Sequence, residues 1–150
     1  MHSYAAAGAA FLIAVLWFDL MFDVQTMRHR GSVLPADVLD SIAAYYRRVS
    51  TDARPMGSVV SLVMLATLLA IIGEVIRGGS PSWAAWASLI LTLSAVGLAL
   101  SRTVRNAARL GGAKDSAEIR TTLARRVLGD HLYCLAAMAS VLAVQLFAVA

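Results

Sequence analysis

Four apolar stretches, each roughly 20 residues long, decide what this chain can fold into. They run from Ala5 to Val24, Met56 to Ile76, Trp83 to Ser101 and Leu128 to Val149. A backbone surrounded by hydrocarbon must satisfy its own hydrogen bonds, so each stretch is expected to be an α-helix. None shows the apolar/polar alternation of a membrane strand. Composition points the same way: of 150 residues, 59% are hydrophobic and 15% charged, against about 25% charged in an average soluble domain. An ordinary soluble domain and a disordered chain are excluded, and a lone cysteine, Cys134, excludes a disulfide scaffold. The expected fold is a single all-α integral membrane domain over residues 1–150, a four-helix bundle.

Basic residues set the expected topology. Five arginines (28, 30, 47, 48 and 54) follow the first span, and Arg102, Arg105, Arg109, Lys114, Arg120, Arg125 and Arg126 follow the third. The connection between spans two and three holds only Arg77. By the positive-inside rule, both long connections face the cytoplasm and both termini lie outside, in the cell (inner) membrane. The leader Met-His-Ser-Tyr lacks a basic region, and its small residues precede the apolar core, so the first span is expected to be retained. The arginines fit topology and anionic lipid better than nucleic acid, which is not expected as a partner.

The cytoplasmic connections carry their own patterns. After Pro35, Val38, Leu39, Ile42, Tyr45, Tyr46 and Val49 recur at helical spacing opposite Asp37, Asp40, Arg47 and Arg48, which predicts an amphipathic helix, with Pro55 at the entrance of span two. In the second connection Gly111-Gly112 predicts a break. Asp115 with Glu118 predicts a capped helix running into span four, with a bend at Gly129. Thr26-Met27-Arg28 and Tyr46-Arg47-Arg48-Val49 are echoed by Thr103-Val104-Arg105 and Ala124-Arg125-Arg126-Val127, a spacing compatible with two parallel-repeat helical hairpins.

Polar groups converge at one depth. Asp19 and Asp23 share a face of span one, Arg54 opens span two, Arg102, Arg105 and Asn106 close span three, and Asp130, His131 and Cys134 open span four. A carboxylate inside lipid costs about 2.5–3.5 kcal/mol on insertion scales, so Asp19 should find a partner such as Arg102 or Arg105, or serve a ligand or a proton. His131, Cys134, Met138 and Gln145 form one stripe. Imidazole, thiol and thioether are ligands that copper or haem iron accept, which makes His131 the candidate metal ligand, with Asp19 or His29 as company. At the other end, Glu74 is expected to pair with Arg77 and to meet Gln145. Trp83 and Trp86 fit an interfacial belt, and the Ala5–Ala10 run, Gly97 and Ala99 allow close helix contact or homo-oligomers. The hydroxyls of Ser58, Ser61, Ser88, Thr92 and Ser94 are expected to bond helix carbonyls.

Two segments carry a family resemblance: Tyr45-Tyr46-Arg47-Arg48 with Arg54-Pro55-Met56, and Arg105-Asn106-Ala107-Ala108-Arg109-Leu110 with Leu123-Ala124-Arg125-Arg126 and His131. With the four-span layout, they resemble the anthrone-oxygenase-like group of small bacterial membrane proteins. The resemblance maps that family's recurrent asparagine and histidine onto Asn106 and His131, while Arg105 stands where the family usually has proline. It implies a four-helix bundle and oxygenation of a flat aromatic or quinone-like compound. From the residues themselves, the expected function is binding of a hydrophobic small molecule, or service as accessory subunit to a partner membrane protein. Asp19, Asp23, Arg102, Asn106 and His131 are then the polar anchors. The alternative is a membrane oxidoreductase or oxygenase with His131 as base or metal ligand and Asp19 as proton partner. Ion transport fits least, because spans two and three offer almost no ionisable group at mid-depth.

Overall fold

A computed structural model describes residues 2–52, 54–78 and 81–148. Every described element is helical. The first apolar run forms α1 (His2–Asp23), closed by a 3₁₀ turn at Val24–Arg28. Pro35, which cannot donate a backbone hydrogen bond, precedes α2 (Ala36–Arg47), and a π turn at Arg48–Asp52 follows. Next come α3 (Arg54–Ile76) and α4 (Ser82–Leu98). A second π turn, Ala99–Thr103, carries α4 without interruption into α5 (Val104–Gly112). The last element, α6, runs unbroken from Ala117 to Phe147. Four helical segments, beginning at His2, Pro55, Ser82 and Ala117, are long and apolar enough to cross a membrane.

Each of the four long helices touches two others: α1 packs on α6 and α3, and α4 packs on α6 and α3. Between them lies one apolar core, with Ala5, Ala9, Leu12, Ile71, Met138 and Val141 at its centre. Contact between α1 and α3 is so close that a Cβ at Gly8 would meet Thr67 Oγ1 at 2.0 Å. A second core lies where α2 and α5 cover the first turns of α6, built on Leu39, Ile42, Tyr46, Leu110, Ala124 and Val127. The amphipathic reading of α2 is seen here: Val38, Leu39, Ile42 and Tyr46 are buried, while Asp37, Asp40, Arg47 and Arg48 are exposed. Outward faces of the long helices carry Phe18, Leu62, Leu65, Ile90 and Leu100, all exposed, as are Trp83 and Trp86. Such a surface has no favourable contact with water.

Three local expectations change. Residue Ser116, not Asp115, precedes α6, and Asp115 instead binds Arg109, Nε and Nη2 each donating to a carboxylate oxygen at 2.7 Å. That guanidinium holds the Asp115 carboxyl below the usual aspartate range. Helix α6 continues through Gly129, the position of the expected bend. Gly97 is exposed with nothing within 4 Å of an added Cβ, so it serves no helix contact within the chain. Of the hydroxyls expected on helix carbonyls, Ser94 bonds Leu91 O at 2.8 Å, whereas Ser88 accepts from Gln145 and Thr92 Oγ1 is buried without a partner.

Candidate functional site

Asp19 and Asp23 stand one helical turn apart on the last two turns of α1, so both carboxylates project to the same side. Adjacent phenols on α2 meet them. Tyr45 donates to Asp19 Oδ1 at 2.6 Å, and Tyr46 donates to Asp23 Oδ1 at 2.7 Å. From α6, His131 Nδ1 lies 2.7 Å from Asp23 Oδ2, while its Nε2 lies 3.9 Å from Asp19 Oδ2. Asp23 is wholly buried, and Tyr46 and His131 nearly so. The Tyr45 ring stacks on Phe22 with centroids 4.0 Å apart. Burial, then the hydrogen bond to Asp19, pushes the Tyr45 phenol pKa up; burial, then the Asp23 charge, does the same to Tyr46. Both phenols therefore stay protonated and donate. Three elements are pinned by this cluster: the end of α1, the middle of α6 and the surface helix α2.

A second cluster sits beside it. The π turn at Ala99–Thr103 inserts a residue into the helix, and turns of this kind re-aim the side chains they carry. Arg102 and Thr103 both reach Asp130 of α6. Arg102 Nε donates to the two carboxylate oxygens at 3.1 Å, its Nη2 donates to Oδ1, and Thr103 Oγ1 lies 3.0 Å from Oδ2. Asp130 is buried and fully paired, which is what a buried carboxylate requires.

A groove of about 590 Å³ opens to the surface over this pair. Ser94 and Leu98 of α4 line one wall, and Arg126, Gly129, Asp130 and Tyr133 of α6 line the other. The α6 positions follow helical spacing, so they form one continuous stripe. Tyr133 closes one end by donating to Ser94 Oγ at 2.8 Å. Opposite, Arg125 donates through Nη2 to the carbonyls of His29, at 3.3 Å, and Gly31, tying α6 to the loop after α1. A Cβ added at Gly129 would meet nothing within 4 Å. The missing side chain is what keeps the groove wide.

At the far end of the helices a third cluster gathers on buried Glu74 of α3. Gln145 Nε2 of α6 is 3.0 Å from Glu74 Oε2 and 3.1 Å from Ser88 Oγ of α4, and His2 Nδ1 of α1 is 3.2 Å from Glu74 Oε1. The expected Glu74–Gln145 contact is present. The expected Arg77 partner is not, because His2 takes its place.

Of the sequence-derived candidates, Asp19, Asp23 and His131 come together. Arg102 belongs instead to the neighbouring Asp130 pair, and Arg105 donates to Ser101 O of its own helix, so neither arginine is the partner of Asp19. Asn106 is half-buried on α5 and hydrogen-bonds to none of these groups. The side chain of Arg54, expected at this depth, lies outside the described residues. His29 binds Arg125 through its carbonyl, and Cys134 Sγ faces Ala95 O at 3.7 Å. Among the described residues no three His, Cys, Asp or Glu side chains are placed to hold a metal ion. Around His131 stand two carboxylates that already accept hydrogen bonds from Tyr45 and Tyr46.

The phenols of Tyr45 and Tyr46, the Thr103 hydroxyl and His2 complete these clusters without having been expected there. Two adjacent tyrosines on an amphipathic helix were the only available signal, since the second of a pair cannot share the apolar face fully with the first.

No protein-family model, curated protein or solved structure matches this chain.

Proposed function

We propose that this chain is a multi-pass protein of the inner membrane, a four-helix bundle with both termini outside the cytoplasm, that binds a hydrophobic small molecule in the groove between α4 and α6. The observation that carries this reading is the groove itself. Its volume, about 590 Å³, falls within the range of about 300–1,000 Å³ typical of small-molecule sites. It combines apolar and aromatic walls at Leu98 and Tyr133 with charged groups at Arg102, Arg126 and Asp130. The Asp19–Asp23–His131 cluster supports the site from behind by holding α1, α2 and α6 together, and its carboxylates are already engaged by Tyr45, Tyr46 and His131. Arg102 is the one sequence-derived anchor that lines the groove.

Replacing Gly129 tests the reading directly. A leucine side chain there meets no neighbour at its Cβ, so Gly129→Leu fills the groove while the helix stays intact. Mass spectrometry of organic extracts from purified wild-type protein should show a co-purifying hydrophobic compound that Gly129→Leu lacks. Equal compound in both, or none in the wild type, removes the proposal.

A second reading, a membrane oxidoreductase or oxygenase acting on an aromatic or quinone-like substrate, is favoured by the pairing of His131 with Asp23 at 2.7 Å and of Asp19 with Tyr45 at 2.6 Å. An imidazole oriented by one carboxylate beside another is a proton-handling arrangement. Full turnover of a candidate aromatic substrate by a folded His131→Ala variant would discard it.

A further inference from the structure

We infer that the occupant of the α4–α6 groove is an acidic amphiphile, a lipid-like molecule with a phosphate head and a hydrocarbon tail, seated with its head at Arg125 and Arg126. This rests on the groove being a ligand site, as proposed above, and goes further by assigning the ligand class. Three guanidiniums line the groove against one carboxylate, Asp130. Arg102 and Asp130 neutralise one another through a bidentate contact, which leaves Arg125 and Arg126 in surplus. Arg125 is held by two backbone carbonyls, which orient its guanidinium without cancelling its charge. Arg126 is exposed, with no hydrogen bond or ion pair among the described residues. A pre-positioned guanidinium beside an unengaged one is the donor set that recognises phosphate oxygens.

The groove is also polarised along its length. Arg126, Gly129 and Tyr133 follow one another on a single face of α6, and the seven helical steps from Arg126 to Tyr133 span about 10 Å. The charged end lies beside α2 and α5. The opposite end, at Leu98 and Tyr133, lies toward the middle of the long helices, where a tail would pass over the outside of the Tyr133–Ser94 hydrogen bond and follow their apolar outer surface. Gly129 leaves the space between the two ends unfilled. Inorganic phosphate could occupy only the charged end.

The test uses the full chain in an uncharged maltoside detergent and native mass spectrometry. The probes are phosphatidic acid, phosphatidylcholine with the same acyl chains, and inorganic phosphate. One phosphatidic acid per chain should be retained, about tenfold or more tighter than phosphatidylcholine. Arg126→Gln should weaken it by about tenfold or more, as loss of a charged hydrogen bond implies. Lys114→Gln, the same charge change on an exposed loop, should leave retention unaltered, and Gly129→Leu should abolish it. Equal retention of both lipids overturns the acidic-head inference and leaves the groove reading standing. Retention of neither lipid, or undiminished binding by Gly129→Leu, overturns both. Displacement of the lipid by inorganic phosphate at equal concentration transfers the site to free phosphate and overturns the amphiphile. Equal weakening by Lys114→Gln reduces the effect to general surface charge, which also overturns it.

Discussion

Tyr46 makes its hydrogen bond to Asp23 where neither side chain meets solvent, so its loss cannot be repaired by water. A hydrogen bond to a charged group contributes about 1.5–3 kcal/mol, and Tyr46→Phe should lower stability by that amount in thermal unfolding. The same phenol predicts a pH dependence. Folding raises the pKa of Tyr45 and Tyr46 above the ordinary tyrosine value of about 10. In the unfolded chain these groups release protons near that pH, while in the folded protein they keep them. Their contribution is therefore complete below about pH 10 and lost as pH rises beyond it. Unfolding temperatures measured from about pH 8 to 11 should fall at the alkaline end, and fall less steeply in Tyr46→Phe. An identical slope in the two proteins would mean the phenol does not couple to folding. At this scale the sequence was only partly informative. Asp19, Asp23 and His131 were legible because an ionisable group in an apolar run is rare and must be explained. Tyr45 and Tyr46 read as apolar positions of an amphipathic helix, since periodicity reports which face is buried and not what a hydroxyl on that face will reach.

Between elements, two glycines do opposite things. Gly111 ends α5 against α2, where an added Cβ would meet the backbone nitrogen of Arg47 at 2.7 Å and the Tyr46 carbonyl carbon at 2.9 Å. Backbone cannot rotate away as a side chain can. Gly111→Ala should therefore push α5 from α2 and destabilise the protein by about 1–3 kcal/mol, the usual cost of overpacking. Gly129 lies within α6 beside open space, so Gly129→Ala should stabilise that helix by up to about 1 kcal/mol, the propensity difference between the residues. Denaturation of the two variants in one detergent checks both signs. The sequence marks Gly111-Gly112 as a break and Gly129 as a bend inside a continuing helix, and the structure agrees that the first ends a helix and the second does not. Their neighbours along the chain make the difference. After Gly112 the backbone enters the left-handed region at Ala113 and a short loop, whereas Leu128 and Asp130, on either side of Gly129, are both buried within the continuous α6. The π turn at Ala99–Thr103, by contrast, left no mark in the sequence, because it goes with Arg102 and Thr103 reaching Asp130 rather than with a breaker residue.

For the whole molecule, hydropathy alone located all four long helices to within a few residues at most ends, and went wrong chiefly where polar residues continue a helix beyond the apolar run. The third apolar stretch ends at Ser101, yet helix continues to Gly112; the fourth starts at Leu128, and the helix that Asp115 and Glu118 lead one to expect ahead of it begins at Ala117. Both extensions carry arginines, and they meet α2 in the second core, so the basic residues that the positive-inside rule would assign to the cytoplasm lie on the elements bearing the candidate sites. Orientation is thus the property on which the groove's chemistry depends, because only at the cytoplasmic surface would Arg125 and Arg126 face the anionic leaflet. Cys134 gives a clean way to measure it: the thiol is buried, so a membrane-impermeant maleimide added to intact vesicles should leave the wild type unlabelled. In that background Lys114→Cys and Arg77→Cys each add one exposed thiol, at opposite ends of the long helices. Lys114→Cys should label only in inside-out vesicles and Arg77→Cys only in right-side-out vesicles. The reverse pattern would turn the bundle over, placing Arg125 and Arg126 on the outer surface and removing the electrostatic basis for an acidic ligand drawn from the inner leaflet.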